Sequence, residues 1–191
     1  LWAASHDLPP SVQRIQGYPE HCANTLRVRR VLFHPIALFQ KLPDGSVKPT
    51  AKLEKNETIT IVAQTYQKQI KGIRLEGLMD KDLPKSGPGL EADGGFTLLE
   101  LTVLATPLVG KGKPTPVKLR PLATTSATME KPLALAVDGD AKTGWAIKPA
   151  EVGKDVVAQF EVIGELGDVS RLQLTFTLKF DTKGNGIGRP R

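Results

Sequence analysis

The chain has 191 residues, 40% of them hydrophobic and 24% charged, which is enough for a sizeable core in one or two domains. Its net charge of +6 would favour an anionic partner, yet Arg27, Arg29, Arg30, Lys111, Lys113, Arg189 and Arg191 are scattered and no aromatic residues interleave with them. We therefore expect a solvated basic surface and no nucleic-acid partner. The single cysteine, Cys22, excludes an internal disulfide framework and a cysteine zinc site, and no run of about 18 apolar residues is present to span a membrane.

Residues 1–37 read as a lead into a domain that spans 38–191. Ser5-His6-Asp7-Leu8-Pro9-Pro10 stiffens an entry to a short helix over 11–15, and Tyr18-Pro19 then breaks the pattern. His6, His21 and His34 are far apart and lack metal-ligand spacing, so they are expected to be surface or packing residues. From Leu38 the pattern is strand, hairpin, strand. The hairpin signal is Asp44-Gly45, and Glu57 to Gln64 alternates as a half-buried strand does.

Two further strands flank a long loop. Ile70 to Leu78 alternates, with Arg74 and Glu76 on one side and Ile73 and Leu75 on the other. Phe96 to Leu104 is denser in apolar and β-branched residues. Between them lie Asp80, Asp82, Pro84, Gly87, Pro88, Gly89, Asp93, Gly94 and Gly95, a composition that forbids a helix. A loop this long inside a compact domain has a structural or a binding role, and we expect it to be ordered at one end of the fold. Glu76 and Glu100, on the flanking strands, are placed to accept hydrogen bonds from its amides or to pair with Arg74.

Thr106 to Pro121 is punctuated by Pro and Gly and reads as a mobile loop within one domain. Val117 to Arg120 resumes alternation. In the segment Ala136 to Trp145, Asp138 and Asp140 flank Gly139, which permits a sharp turn. Two carboxylates there, with Thr143 and backbone carbonyls, suit Ca²⁺; the plainer alternative is a capped tight turn with Trp145 in the core. The segment lacks the ligand series of an EF-hand loop. Val156 to Val162 and Arg171 to Phe180 are the clearest strands, the latter with Leu172, Leu174, Phe176, Leu178 and Phe180 on one face.

Catalytic chemistry has little support. There is no Gly-x-Ser-x-Gly elbow and no histidine beside a candidate nucleophile. Gly184-Asn185-Gly186-Ile187-Gly188 follows a strand, with no helix after it to make a phosphate cradle. The chain is expected not to be an enzyme. It opens on Leu1, shows no signal peptide and stops at Arg191, so it reads as a piece of a longer protein.

The stretch IKGIRLEGLMDKDLPKSGPGLEADGGFTLLELTV, with LPDGS at 42–46 and IGR at 187–189, resembles the β-sandwich region of large secreted cytochrome c-type proteins of planctomycetes and related bacteria. Leu90, Gly95 and Pro190 stand where that family has Arg, Asn and Phe; at the tail the resemblance implies either that the last strand of the domain is cut away, which would expose a sheet edge, or that this chain diverges there. Separately, Ala136, Asp138, Gly139, Asp140, Thr143, Gly144 and Trp145 resemble the start of discoidin-type, galactose-binding-like domains. These resemblances imply a mainly β, galactose-binding-like (discoidin or jelly-roll type) β-sandwich with a short, partly helical N-terminal lead. They imply a periplasmic or extracellular, non-catalytic module that docks a neighbouring domain or binds a glycan. The alternatives are a structural spacer between haem domains, or part of a hydrolase or redox enzyme. His21-Cys22 is not a Cys-x-x-Cys-His haem attachment site, so any haem lies outside this chain. The candidate ligand-binding residues are Arg74, Glu76, Asp80, Asp82, Asp93 and Trp145, and the candidate calcium ligands are Asp138, Asp140 and Thr143.

Overall fold

The computed structural model describes residues 39–50, 58–110, 112–147, 153–167, 171–180 and 186–191. The expected lead over 1–37, with Cys22 and the three histidines, lies outside the described residues. The described chain is mainly β. A short hairpin, β1 (Phe39–Lys41) and β2 (Val47–Pro49), turns at Asp44-Gly45 as the dipeptide predicts. It is followed by β3 (Thr58–Thr65), β4 (Gly72–Gly77), β5 (Thr97–Pro107), β6 (Thr115–Pro116), β7 (Lys118–Thr124), β8 (Trp145–Ala146), β9 (Val156–Ile163) and β10 (Leu172–Phe180). Two 3-10 turns, Pro84–Ser86 and Leu133–Ala136, are the helical elements among the described residues. No helix among them is long and apolar enough to cross a membrane.

Beside the two-stranded β1-β2 sheet, the strands form two larger antiparallel sheets. One runs β3-β10-β5-β6, with β8 paired to the start of β5; the other runs β4-β9-β7. The runs around Ile59, Ile73, Leu99, Phe160 and Leu174 all lie in these sheets, as their alternation predicts. Period-two spacing puts Ile59, Ile61 and Ala63 of β3 and Leu172, Leu174, Phe176 and Leu178 of β10 on one face. These pack with Ile73 and Leu75 of β4 and Val156, Ala158 and Phe160 of β9 in a single core, the arrangement of a β-sandwich. Burying each such side chain contributes on the order of 1.5–3 kcal/mol.

Two departures from simple alternation matter. In β5 the register shifts where Lys179 pairs with Glu100 but Phe180 pairs with Leu98. This one-residue bulge turns Leu98 into the core together with Leu101 and Val103, and leaves Glu100 on the outer face. The second departure is β4, in which all six residues are buried, Arg74 and Glu76 included. The alternation there predicts one solvated face, and tertiary packing removes it.

The 106–121 region is a crossing between sheets rather than a single loop. Thr115 and Pro116 pair with Ala105 and Leu104 in one sheet, and Lys118 begins β7 in the other. At the far end of the chain, Gly186 to Arg191 lies along β4. Glu76 and Arg191 exchange backbone hydrogen bonds, and the Leu78 amide donates to the Arg189 carbonyl. The Pro190 carbonyl also accepts from the Val47 amide, so the tail lies between β4 and the hairpin.

Candidate functional site

The strand directions bring the loop at 78–96, the hairpin, the C-terminal tail and the turn at 138–140 to one end of the sandwich. The loop is built by backbone bonds. The Gly89 amide donates to the Gly94 carbonyl, Glu91 to Gly95, Leu90 to Gly186, and Gly188 to Pro88. Gly89 sits so close to its partner that a Cβ there would fall 1.7 Å from the Gly95 carbonyl oxygen. Only glycine permits that approach. Gly89→Ala is accordingly expected to cost about 3 kcal/mol, because backbone rather than a flexible side chain must move; urea denaturation of the variant measures it. Lys85 and Ser86 hold positive φ angles of 48° and 54° in the same loop.

Side chains clasp this end together. Lys48 donates to Asp80 Oδ1 at 2.8 Å and to Asp82 Oδ2 at 2.7 Å. The Arg189 guanidinium donates to Asp44 Oδ2 at 2.7 Å, to Asp80 Oδ2 at 3.3 Å and to the buried Ser46 hydroxyl at 3.0 Å. Asp80 thus joins hairpin, loop and tail. Beside it, Glu76 is buried to 1% exposure and pairs with both Arg74 and Arg191. The expectation of scattered, solvated basic residues therefore fails for Arg189 and Arg191: each is half-buried and bound to carboxylates contributed by distant parts of the chain.

The electrostatics follow from these pairs. Burial acts to raise the carboxyls of Asp44 and Asp80, but hydrogen bonds and the cations outweigh it. Ser46 and Arg189 lower Asp44; Lys48, the Asp82 amide and Arg189 lower Asp80. Asp80 and Asp82 in turn raise Lys48, and Glu76 raises Arg191. A carboxyl with a depressed folded pKa stabilises the fold above its ordinary value of 3.8, and that contribution is lost as pH falls through the folded value. Thermal melts on acidification below 3.8 are expected to show a loss that is smaller in Asp80→Asn, which lacks the titrating group. Glu100 contributes with the opposite sign. Burial, and then the nearby Asp138, hold its pKa above 4.5, so protonating it on acidification relieves a cost.

Glu100 serves a different loop from the one expected. Its Oε2 accepts the Gly139 amide at 3.0 Å, tying the 138–140 turn to the outer side of β5. Gly139 has φ of 83°, which a side chain would strain. Asp138 accepts from the Asp140 amide at 2.9 Å, and its other oxygen lies 2.8 Å from the Thr143 hydroxyl. Asp140 accepts from the Lys142 amide at 2.9 Å. Among the described residues no group of three or more His, Cys, Asp or Glu side chains is arranged to hold a metal ion.

The remaining candidates occupy separate places. Asp93 accepts from the Gly95 amide at 2.9 Å and closes the tip of the loop. Trp145 is 1% exposed. Its ring meets Phe96 edge-on at 5.2 Å, and its indole N–H donates to the Ser126 carbonyl at 2.8 Å. Arg74, Glu76, Asp80 and Asp82 form one neighbourhood, with Asp93 in the same loop; Asp138, Asp140 and Thr143 form a second. No family model, curated protein or solved structure matches this chain.

The sequence reading did not single out Lys48, Asp44 or Arg189 as members of the clasp. The signal was faint: an LPDGS hairpin and an IGR tail, each legible alone, with nothing local to pair them. Nor did it single out Tyr66, which is 52% exposed at the opposite end of the sandwich, where the Arg171 guanidinium lies 5.7 Å from the ring centroid. At that end Lys68, Lys71 and Glu165 also line a shallow cleft.

Proposed function

We propose that the chain is a non-catalytic binding or domain-docking module, a galactose-binding-like β-sandwich from a secreted cytochrome c-type multidomain protein that works in the periplasm or outside the cell. The clasp is the observation that carries this reading. A general acid or base needs a pKa near the working pH and a proton within reach of substrate. At the loop end Asp44 and Asp80 are pushed down, Lys48 and Arg191 are pushed up, and each is engaged by an opposite charge within the fold. Such a set makes a rigid surface, and rigidity suits recognition because little ordering entropy is lost on contact. The resemblance of the 70–103 stretch to the secreted family supplies the cellular setting and the neighbouring domains as docking partners. Pull-downs of this chain with those domains, run beside a glycan array, test the reading. Capture of either class supports it; failure with both leaves a spacer that holds haem domains apart.

At the 138–143 turn the plain capped turn is the reading favoured over a calcium site. Asp138, Asp140 and Thr143 are the residues that would hold the ion, yet their oxygens already accept from or lie against partners within the turn. A cation would have to compete with those bonds for the same oxygens. Calcium titration is therefore expected to leave the melting temperature unchanged, since only a ligand that binds the native state raises it. A rise at millimolar calcium that disappears in Asp140→Ala would instead place the ion at this turn.

A further inference from the structure

The outer face of the β3-β10-β5 sheet carries an ordered polar array at the end away from the clasp. Strand register builds it in rows. Thr177 of β10 stands between Thr60 and Thr102, Thr175 between Val62 and Leu104, and Gln173 between Gln64 and Thr106. All nine positions are half-buried or exposed. The rows hold no charged residue; the first charges come one row further on, at Lys179 and Glu100. Above the glutamine row stands Tyr66. Arg171 lies against its ring and donates to Gln64 Oε1 at 2.8 Å, so ring, guanidinium and amide fix one another.

We infer that this face binds an extended neutral oligosaccharide, with Tyr66 as the stacking platform and the Thr and Gln rows as hydrogen-bonding partners. The inference rests on the binding-module reading above and gives it a place and a ligand class. The charge balance selects the occupant. An acidic polymer would be met by cations; the three rows hold none despite a net charge of +6 on the chain, and Arg171 beside them is already engaged by the Tyr66 ring and Gln64. A protein partner needs an apolar or aromatic centre, and the rows supply only Val62 and Leu104. Sugar hydroxyls both donate and accept, as threonine hydroxyls and glutamine amides do. An aromatic ring that is apolar on its face and polar at its tip suits the C–H face of a pyranose. From Thr60 to Tyr66 the face extends about 20 Å along the strand, at about 3.4 Å per residue, room for several sugar units rather than one. Tyr66 is 52% exposed, whereas Phe96, Trp145, Phe160, Phe176 and Phe180 are buried.

Calorimetric titration of the chain with cellohexaose, mannohexaose, xylohexaose and maltohexaose tests the inference. At least one is expected to bind, with an affinity that raised salt leaves unchanged. Tyr66→Ala should weaken that binding about tenfold, the loss of a stacked ring, without lowering the melting temperature. Thr177→Val, which keeps shape and removes the central hydroxyl, should weaken it to a smaller degree. Binding that is indifferent to both variants would overturn the site while sparing the module reading. No binding of any of the four at millimolar concentration would overturn the inference, and capture of a neighbouring domain in the pull-down would still uphold docking. Binding only to an acidic glycan such as alginate, abolished by salt, would also overturn it, because it would report the basic surface instead.

Discussion

Glu76→Ala is expected to destabilise the protein by about 3–5 kcal/mol, because it removes the buried carboxylate that both Arg74 and Arg191 contact and so takes the partner from a buried guanidinium. The loss should extend beyond the pair. The backbones of Glu76 and Arg191 bond to one another, and the same tail carries Arg189 into the Asp44–Asp80 clasp. Glu76→Gln keeps the shape and part of the hydrogen bonding and should lose less. Arg191→Ala should lose less again, since Arg191 is half-exposed and its removal leaves Glu76 in contact with Arg74. Chemical denaturation of the three variants gives the order. A Glu76→Ala variant within about 0.5 kcal/mol of the parent, the range of ordinary surface substitutions, would show that the buried pairing does not hold the tail.

Trp145→Ala is expected to cost about 3–5 kcal/mol, the range for emptying a large aromatic from a core. Trp145 is 1% exposed and pairs through β8 with Leu98. Its indole N–H satisfies the Ser126 carbonyl, and its ring meets Phe96 edge-on. Removal opens a cavity between the start of β5 and the 126–131 segment, and takes from the Ser126 carbonyl one of its two donors, the other being the Thr124 hydroxyl. Trp145→Phe separates the two effects: it keeps most of the ring and loses the hydrogen bond, while the Thr124 hydroxyl still serves the Ser126 carbonyl, so it should cost about 0.5–1.5 kcal/mol, the net worth of one hydrogen bond. Equal losses in both variants would assign the whole effect to the Ser126 bond. A Trp145→Ala variant as stable as the parent would remove the ring from the core's supporting contacts.

By itself the sequence determined the strands, because alternation is a local property and a strand must show one face to the core wherever it pairs. Leu172 to Phe180, Thr58 to Gln64 and Val156 to Val162 were legible in this way, as was the Asp44-Gly45 hairpin, which needs only its own turn residues. So was the tight turn at Asp138 to Asp140. Only the tertiary structure decided which charges are structural. Lys48 meets Asp80 across 32 residues, and Arg189 meets Asp80 and Asp44 across 109 and 145. No window of sequence contains both members of such a pair, so Arg189 and Arg191 read as solvated charge; Arg74 and Glu76, two residues apart, could be read as a pair, but not that packing buries both of them. The same holds for the polar rows on the outer sheet. Thr60, Thr177 and Thr102 come from three separate strands, and it is the antiparallel register, set by the buried Leu and Ile residues between them, that brings their hydroxyls into line.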